Sequence, residues 1–455
     1  MNKYFLFAFI LCSIISAQNK NLPVVVIGDS LIGKNIDGVK MREVIGNVII
    51  TQGDVRITCK HAIQNIDKNE AELIGDVVVT QDTITIKTPR GFYDGNNRIA
   101  FSNNSLSLND THITLNAVNG YYYFNEKRAY FYTDVNLFDK TNNMLSNKLT
   151  YFHNTNHAVA VGGVEIKDTA NTIYADSLIH HRKSRISYAF SNIILTNKNN
   201  TAFILGNYLE NYADSGYTKV TDSPFLMQID TSKNGKLDTL FLISKKLESI
   251  NDSTETTFIA TDSVHVYKTG LVSVNDISYF YKKQNKLFTY KINSDRPQPI
   301  MWYEENQATG DTINVYLKDN RLDYTEISTD AFLLSKIENY DYRFNQISGN
   351  KIRMYFNDTT LTNTIINGKV LSIYYTFEDS TAKGLIKSSS NSAKIFFENK
   401  KVQDVRLYEQ AISEYHPEKL IKGIEKEFTL PTFKILTNKP TKDFFYKRLR
   451  TNSVD

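Results

Sequence analysis

The sequence is poor in the residues that cross-link or kink a chain. Its 455 residues include two cysteines, eight prolines and one tryptophan. Cys12 lies in an apolar N-terminal run, so removal of that run would leave Cys59 alone and would exclude an intramolecular disulfide. Stability must then come from burial and strand pairing. A single thiol at a strand position is more typical of a small core side chain than of a reactive group.

Strong charge and catalytic motifs are also missing. The net charge is +4, which argues against a dedicated nucleic-acid-binding protein. The sequence has no HExxH, CxxC, phosphate-loop or GxSxG motif. No repeat carries the extra pair of carboxylates that a carbohydrate-active enzyme would need. His180 and His181 would point to opposite faces of a strand and would not share a metal ion. We expect neither an enzyme nor a bound metal or cofactor.

Long hydrophobic runs are absent beyond the N-terminus. No later segment approaches the roughly 20 consecutive apolar residues that a membrane helix requires. The N-terminus has a lysine, an apolar run from Tyr4 to Ile15 and two small residues. This order predicts a signal peptide over residues 1–17, export, and a mature chain that begins at Gln18. An uncleaved anchor and a lipoprotein attached through Cys12 are the alternatives.

What the sequence does contain is a repeat of 29 residues in its first half. One position of the repeat is occupied by Gly46, Gly75, Asn104, Thr133, Gly162 and Ser191. Two residues later stand Val48, Val77, Leu106, Val135, Val164 and Ile193. After two more residues stand Ile50, Val79, Leu108, Leu137, Ile166 and Leu195. A spacing of two between apolar positions is strand spacing, so each copy should consist of short strands.

Two further rows follow the same period. The first row is apolar and consists of Ile57, Ile86, Leu115, Met144 and Ile173. The second row consists of small side chains, namely Ala71, Ala100, Ala129, Ala158 and Ser187. Turn-forming residues such as Gly53 and Asp54 separate the rows. One such unit cannot bury its own apolar face, so the copies should stack with equivalent residues in register.

The second half carries a looser version of this pattern. The segments 313–322, 352–361 and 393–402 each read as an alternating strand, a polar turn and the start of a return strand. The predicted organisation is a first repeat region at 38–243, a polar loop or junction at 244–257, a second repeat region at 258–412 and an irregular basic tail at 413–455.

These rows predict an all-β fold, an elongated stacked solenoid of about 29-residue repeats with aliphatic ladders inside. Leu106 should be buried in a ladder, whereas Asp110 should lie at a turn and tolerate alanine. In the run from Tyr121 to Phe124, Tyr122 and Phe124 should share one face. Two kinds of function remain open. A secreted or surface adhesin would have a core packed shut, whereas a lipid carrier would need an open apolar cleft.

The repeats resemble a known family. The steps Gly46-Asn47-Val48 and Gly75-Asp76-Val77, with intervening strands such as Ile173–Leu178, are similar to the organic-solvent-tolerance (OstA-like) family. The segments Pro299–Trp302 and Gly310–Ile313 are similar to the longer OstA-like proteins of Bacteroidota. The resemblance spans roughly residues 38 to 410. Members of this family are periplasmic β-jellyroll components of the lipopolysaccharide transport bridge.

The resemblance implies a stacked β-jellyroll whose apolar groove shields lipid A acyl chains, while the sugars stay in water. Exposing acyl chains to water costs about 0.8 kcal/mol per CH₂. The acyl chains would lie between the rows that begin at Val48 and Ile57. The candidate groove residues are Val48, Ile50, Ile57, Val77, Val79, Ile86, Leu106, Leu108, Leu115, Val135, Leu137, Met144, Val164, Ile166 and Ile173.

The resemblance also implies a place and partners. We expect the chain in the periplasm, with association to the outer membrane as a further option. The charged tail after the repeats predicts no transmembrane barrel, because a barrel needs many alternating strands of about ten residues. The expected partners are lipopolysaccharide and other β-jellyroll transport components, with an outer-membrane barrel as a further candidate and no nucleic acid. Unpaired edge strands, expected near 42–51 and 393–408, would bind the protein components.

The signal peptide is directly testable. N-terminal sequencing of the exported protein should begin at or near Gln18, because the small residues before it fit a cleavage site. An intact Met1 on the purified protein would contradict cleavage and would favour the uncleaved anchor.

Overall fold

The computed structural model describes residues 22–139, 142–167, 171–231, 237–268, 270–319, 321–357, 360–399 and 401–451. The predicted signal peptide at 1–17 lies outside these residues. The chain divides into two compact units, residues 1–155 (unit 1) and residues 156–455 (unit 2). Both units are built from antiparallel strands, which confirms the all-β prediction.

Unit 1 consists of strands that alternate buried and exposed side chains. They are β1 (Val25–Ile27), β2 (Ser30–Ile36), β3 (Val39–Gln52), β4 (Val55–Asn65), β5 (Glu70–Gln81), β6 (Ile84–Asp94), β7 (Ile99–Ser102), β8 (Leu106–Asn109), β9 (Ile113–Ala117), β10 (Asn119–Tyr123), β11 (Arg128–Asp139) and β12 (Asn142–Phe152).

The long strands of unit 1 bend at the repeat position found in the sequence. The register with the neighbouring strand shifts between Ile45 and Val48 in β3, and at the equivalent places in β5 and β11. At each bend two successive residues have positive φ: Gly46 and Asn47, Gly75 and Asp76, and Thr133 and Asp134. The bend is a β-bulge that turns one strand sharply, so the 29-residue period marks a corner.

Because of these corners, each long strand contributes to two walls. Wall A of unit 1 consists of residues 48–59, 77–88, 106–117, 135–139 and 142–146, and wall B consists of residues 39–45, 61–74, 90–102, 119–132 and 148–152. The walls face each other closely. A Cβ added at Gly120 of wall B would lie 3.1 Å from Leu106 Cδ1 of wall A. The apolar rows are therefore buried between two layers of one folded sheet.

The edge predicted at residues 42–51 is wrong. These residues belong to β3, which pairs with β4 on one side and with both β1 and β2 on the other. The two short strands precede the first repeat and lack its period, so the repeat pattern did not reveal them. In the part of unit 1 that the structure describes, β1 and β2 each pair only with β3.

Unit 2 has the same construction with longer strands towards its end. Its strands are β13 (His157–Lys167), β14 (Asn171–His181), β15 (Ile186–Asn197), β16 (Ala202–Tyr212), β17 (Tyr217–Thr221), β18 (Phe225–Thr231), β19 (Leu237–Ile243), β20 (Lys246–Asn251), β21 (Thr256–Lys268), β22 (Leu271–Tyr281), β23 (Lys286–Tyr290), β24 (Ile300–Tyr303), β25 (Asn306–Thr309), β26 (Thr312–Lys318), β27 (Arg321–Lys336), β28 (Phe344–Asn357), β29 (Thr360–Glu378), β30 (Thr381–Glu398), β31 (Lys401–Tyr408) and β32 (Ile412–Pro417). Its helices are α1 (Glu418–Ile421) and α2 (Lys442–Thr451), with 3₁₀ turns at Ala213–Ser215 and Glu425–Glu427.

Corners recur in unit 2 and again form two walls. Thr329 and Asp330 in β27, and Gly368 and Lys369 in β29, have positive φ where the register shifts. In the last part of unit 2 we define wall A as residues 300–309, 331–348 and 370–390, and wall B as residues 312–318, 321–328, 351–357, 360–367, 392–399 and 401–408. The three looser repeats begin in β26, β28 and β30, as predicted.

The polar loop predicted at 244–257 is wrong in its centre. Residues 246–251 form β20, which pairs with β17 and β21. Leu247 is buried and packs with Ala260 and Val264. The other side chains of β20 are half-buried or exposed, so the strand has a polar sequence although it pairs on both sides.

The tail predicted as irregular from residue 413 also differs. Its first residues belong to β32, which pairs with β30. Residues 418–451, which we call the C-terminal strap, pack against unit 2: Ile421 and Leu430 contact the outer face of wall A, and Phe445 packs against β16, β18 and β19. Ile421, Leu430 and Phe445 of the strap are buried. The apolar side chains of the strap were too sparse to form a periodic pattern, so only the structure shows that they are buried.

Two glutamines hold the strap. Gln346 donates from Nε2 to the carbonyl of Phe428 (3.1 Å) and accepts at Oε1 from the N–H of Leu430 (2.9 Å). Gln307 makes the same pair with the carbonyl of Lys434 and the N–H of Leu436, both at 2.9 Å. Each amide thus pairs with an extended chain as a strand backbone would. The two glutamines stand 39 residues apart, which is the local repeat length.

The helices do not change the all-β character. Among the described residues, none of the helices has the length and apolarity that crossing a membrane would require.

Two substitutions at equivalent corners test the assignment of the bends. Gly75→Ala should lower the free energy of unfolding by about 1–2 kcal/mol, because alanine is strained at positive φ. The new Cβ would also lie 3.0 Å from Lys60 Cβ. Thr133→Gly, at the equivalent corner, should change stability by less, because relief of strain offsets the added flexibility of the unfolded chain. Urea unfolding measures both; equal losses would contradict the corner assignment.

Candidate functional site

The candidate groove residues of unit 1 all lie on wall A and are all buried. The most exposed of them, Leu137, is 7% exposed. Val164, Ile166 and Ile173 lie in unit 2 on β13 and β14. Val164 is buried, whereas Ile166 and Ile173 are half-buried. Their burial agrees with the predicted inner face, but burial alone does not show that any of them contacts lipid.

The rows that begin at Val48 and Ile57 lie side by side in wall A, because Val48 stands two residues before Ile50 on the same face of β3 and Ile50 pairs with Ile57. Cross-strand partners form one continuous row, which runs Ile50, Ile57, Val79, Ile86, Leu108, Leu115, Leu137 and Met144. In unit 2, Ile166 pairs with Ile173 in the same way. An antiparallel return strand lies beside the outgoing strand. The two rows therefore do not face each other across a groove, and any space for acyl chains would lie between walls A and B.

The space between the walls of unit 1 is filled by side chains. The small row Ala71, Ala100 and Ala129 lies buried on wall B. Large side chains stand close to it: Tyr122, Phe124 and Phe131 are almost completely buried. Tyr122 and Phe124 share the inner face, as the alternation predicted, and Tyr121 stacks with Phe101 and Tyr132 on the outer face. Unit 1 is thus packed shut.

A row of buried polar side chains joins the two walls of unit 1 at the edge opposite the corners. Three tyrosines of wall B donate hydroxyl hydrogen bonds to three residues at the ends of wall A: Tyr93 to Gln52, Tyr122 to Gln81 (3.0 Å), and Tyr151 to Asp110. All six residues are buried. We call these three pairs the seam.

Ion pairs reinforce the seam from the solvent side. Arg98 pairs with Asp54, and Lys127 pairs with Asp82. Burial is the main reason that the pKa of Tyr93 is raised to about 12, and burial also raises the pKa of Tyr122. Both hydroxyls therefore keep their protons near neutral pH and remain hydrogen-bond donors.

Asp110 was predicted to lie at a turn and to tolerate alanine, but its burial contradicts the expected tolerance. It is 2% exposed. Besides the Tyr151 hydroxyl it accepts the backbone N–H groups of His112 (3.1 Å) and Ile113 (2.9 Å). The turn assignment itself is correct, but the turn lies against wall B. A sequence places a residue in a turn without showing what covers that turn.

The seam was the main functional feature that the sequence reading missed. A signal was present, because Gln52, Gln81 and Asp110 are spaced by 29 residues, as are Tyr93, Tyr122 and Tyr151. A polar row with the period of the apolar rows indicates buried and paired groups.

Unit 2 has a cavity between its walls. Its volume is about 1160 Å³. Leu333 and Ile347 of wall A, and Met354, Phe356 and Ile395 of wall B, line its apolar part. At its margin lie turn residues of wall A, such as Glu338 and Asp379, and Lys401 of wall B. The cavity is therefore apolar between the walls and polar where the walls end.

The strap lies behind the wall that bounds this cavity. Along β27 the side chains alternate: Leu333 packs against the apolar cluster between the walls, whereas Phe332 and Leu334 pack on the side of the strap. The outward side chains form a cluster with Ile421 and Leu430 of the strap. Wall A is thus buried on one face by the strap, which leaves its other face to the cavity.

The histidine pair singled out in the sequence is separated, as predicted. His181 stacks on His157 with ring centroids 5.5 Å apart, whereas His180 is a partner of Ser187 (Nδ1 to Oγ, 2.9 Å). Within the described ranges, no cluster of three His, Cys, Asp or Glu side chains is arranged to hold a metal ion.

Comparison with known proteins agrees with the resemblance seen in the repeats. Residues 24–168 match the model of a family described as OstA-like protein, which confirms the resemblance over this part of the chain. No curated protein matches the chain.

Among solved structures, one similar chain is the crystal structure of LptH from Pseudomonas aeruginosa, described as the LptA homologous periplasmic component of the conserved lipopolysaccharide transport device. It is 16% identical, and the match covers 38% of this chain and 84% of that chain with a TM-score of 0.12. An identity and a TM-score this low establish no shared arrangement of the two chains.

Asp110 provides a direct test of the seam. Asp110→Ala should lower the free energy of unfolding by about 2–3 kcal/mol, because it leaves the buried Tyr151 hydroxyl and two N–H groups without their acceptor. Glu126→Ala, which removes an exposed ion pair with Arg128, should cost less than about 0.5 kcal/mol. Chemical denaturation compares them, and similar losses would show that Asp110 is not a buried acceptor.

Proposed function

We propose that this chain is a periplasmic component of lipopolysaccharide transport and that it shields lipid A acyl chains between two apolar β walls. The observation that carries the proposal is the cavity of about 1160 Å³ between the walls of unit 2, which is apolar between the walls and polar at its margin. It occurs in a chain whose residues 24–168 match the OstA-like family. The fold supplies shielding by burial alone, without a chemical step.

The size and lining of the cavity suit acyl chains. Pockets for drug-sized ligands have volumes of about 300–1,000 Å³, so this cavity can hold a larger apolar group. Moving acyl chains out of water is favourable by about 0.8 kcal/mol per CH₂. Leu333, Ile347 and Ile395 supply aliphatic contacts from both walls. Many weak contacts of this kind bind without strict shape requirements.

The alternative of a secreted or surface adhesin is less well supported. An adhesin needs a core that is packed shut, and the walls of unit 1 do meet this description. The walls of unit 2 do not meet it, because a cavity of about 1160 Å³ separates them. We therefore favour the carrier.

Strand edges suit the proposed protein partners. Strands β1 and β2 of unit 1 carry exposed apolar side chains, among them Ile27 and Leu31, and β31 and β32 of unit 2 carry Val405 and Ile412. An unpaired strand edge can add a strand of another chain. We propose these four strands as the places where other β-jellyroll transport components bind, with an outer-membrane barrel as a further candidate partner.

Site-specific photocrosslinking tests the carrier function. A photoreactive amino acid at Ile347, on the cavity wall, should form an adduct with purified lipopolysaccharide. The same amino acid at Lys351, exposed on the same strand β28, should give at least about tenfold less adduct, because an exposed strand position lacks the apolar contacts. Adduct mass identifies the lipid. Equal adducts at both positions, or none at Ile347, would rule out shielding in this cavity.

A further inference from the structure

The two long edges of unit 1 are closed in different ways. At one edge the backbone itself crosses from wall A to wall B at the corners, for example at Gly46 and Asn47 and again at Gly75 and Asp76. At the other edge the walls end in separate turns, such as 53–54 and 82–83 of wall A and 95–98 of wall B. Only non-covalent contacts join the walls there.

This difference decides where an amphiphile could pass. An amphiphile has its chains between the walls and its polar head in water. As it moves along the unit, it therefore lies across one edge of the unit at all times. The corner edge has covalent chain across that boundary in β3, β4, β5 and β6 in succession. The other edge has the seam and its ion pairs, which can separate without breaking a covalent bond.

We infer that the seam of unit 1, namely the pairs Tyr93–Gln52, Tyr122–Gln81 and Tyr151–Asp110, is a lateral gate that opens to admit the acyl chains of a glycolipid while its head stays outside. This inference rests on the proposed carrier function. It adds a closed and an open state to unit 1 and assigns the opening to one edge.

The open state has a counterpart in unit 2. There the walls are built by the same bent strands, but a cavity lies between them and extends to the turns opposite the corners. Asn339 and Ser380 of wall A and Thr360 of wall B line that margin. Both arrangements of the edge, joined by the seam in unit 1 and separated by a cavity in unit 2, therefore occur in one fold.

The polarity of the seam suits a gate. When the walls part, the tyrosine hydroxyls and the amides of Gln52 and Gln81 would line the boundary between the apolar space and water. These groups would then hydrogen-bond to water or to the polar part of the lipid, so opening leaves no buried polar group unpaired. An aliphatic seam would lack this property.

Locking the seam tests the gate. In a full-length background with Cys12→Ala and Cys59→Ala, the pair Asp82→Cys and Lys127→Cys is bridged by a short bismaleimide. Asp82 and Lys127 face each other across the seam. The photoreactive probe is a diazirine-bearing aliphatic amino acid at Leu108, inside unit 1, and the ligand is purified lipopolysaccharide.

The matched control bridges one wall only. Glu72→Cys with Arg90→Cys joins two ion-paired residues on the outer face of wall B, away from the seam. We expect the cross-seam bridge to reduce the lipid adduct at Leu108 at least about tenfold, and the control bridge to leave it unchanged. If the first pair does not fold, Asp54→Cys with Arg98→Cys provides a second bridge across the seam.

The other outcomes separate the gate from the carrier function. Undiminished adduct at Leu108 with the seam locked would overturn the gate and leave the carrier function intact. Adduct with a probe at Ile347 but none at Leu108 in any form would also overturn the gate, because unit 1 would then admit no lipid. Absence of adduct at both probes would overturn the carrier function and the gate with it.

Discussion

Each long strand of this protein has to leave one wall and enter the other within two residues, and the rest of the structure depends on that bend. In alternate long strands, such as β3, β5, β27 and β29, two successive residues in the left-handed region make the turn, which explains why Gly, Asn, Asp and Ser recur there. The bend fixes the register of both halves of the strand. It also closes one edge with backbone, so that any opening between the walls must occur at the opposite edge.

That opposite edge is where the two units differ. In unit 1, tyrosines from wall B reach across to Gln52, Gln81 and Asp110, and the core between the walls is filled. In the last part of unit 2 the strands are longer, up to 19 residues in β29, and a cavity separates the walls. The same architecture thus produces a packed core where side chains at the strand ends bond across the edge, and a cavity where the strands are longer and the walls stay apart.

The strap shows how the cavity wall of unit 2 can be apolar on both faces. Outward residues such as Phe332 and Trp302 would be exposed on a simple two-walled stack, yet Ile421, Leu430 and Leu436 of the strap cover this face. Gln307 and Gln346 supply the hydrogen bonds that the extended strap backbone needs when it is buried against a sheet. Arg343, paired with Glu418 and Glu425, anchors the start of the strap.

The sequence by itself determined most of the strands and the inner face, whereas the bends that join short predicted strands into long ones appeared only in the structure. Alternation identifies which side chains share a face, and the 29-residue period places Val48 and Leu106 at equivalent positions, because both are local properties of the chain. Tertiary structure decided what each face meets. It made the rows of Val48 and Ile57 neighbours in one wall, buried Asp110 beneath a tyrosine, covered β3 with two short strands and turned an irregular tail into a strap. These contacts join residues far apart in sequence. The alternation of side chains along a strand shows which face a residue lies on, but not which residue it meets across the core.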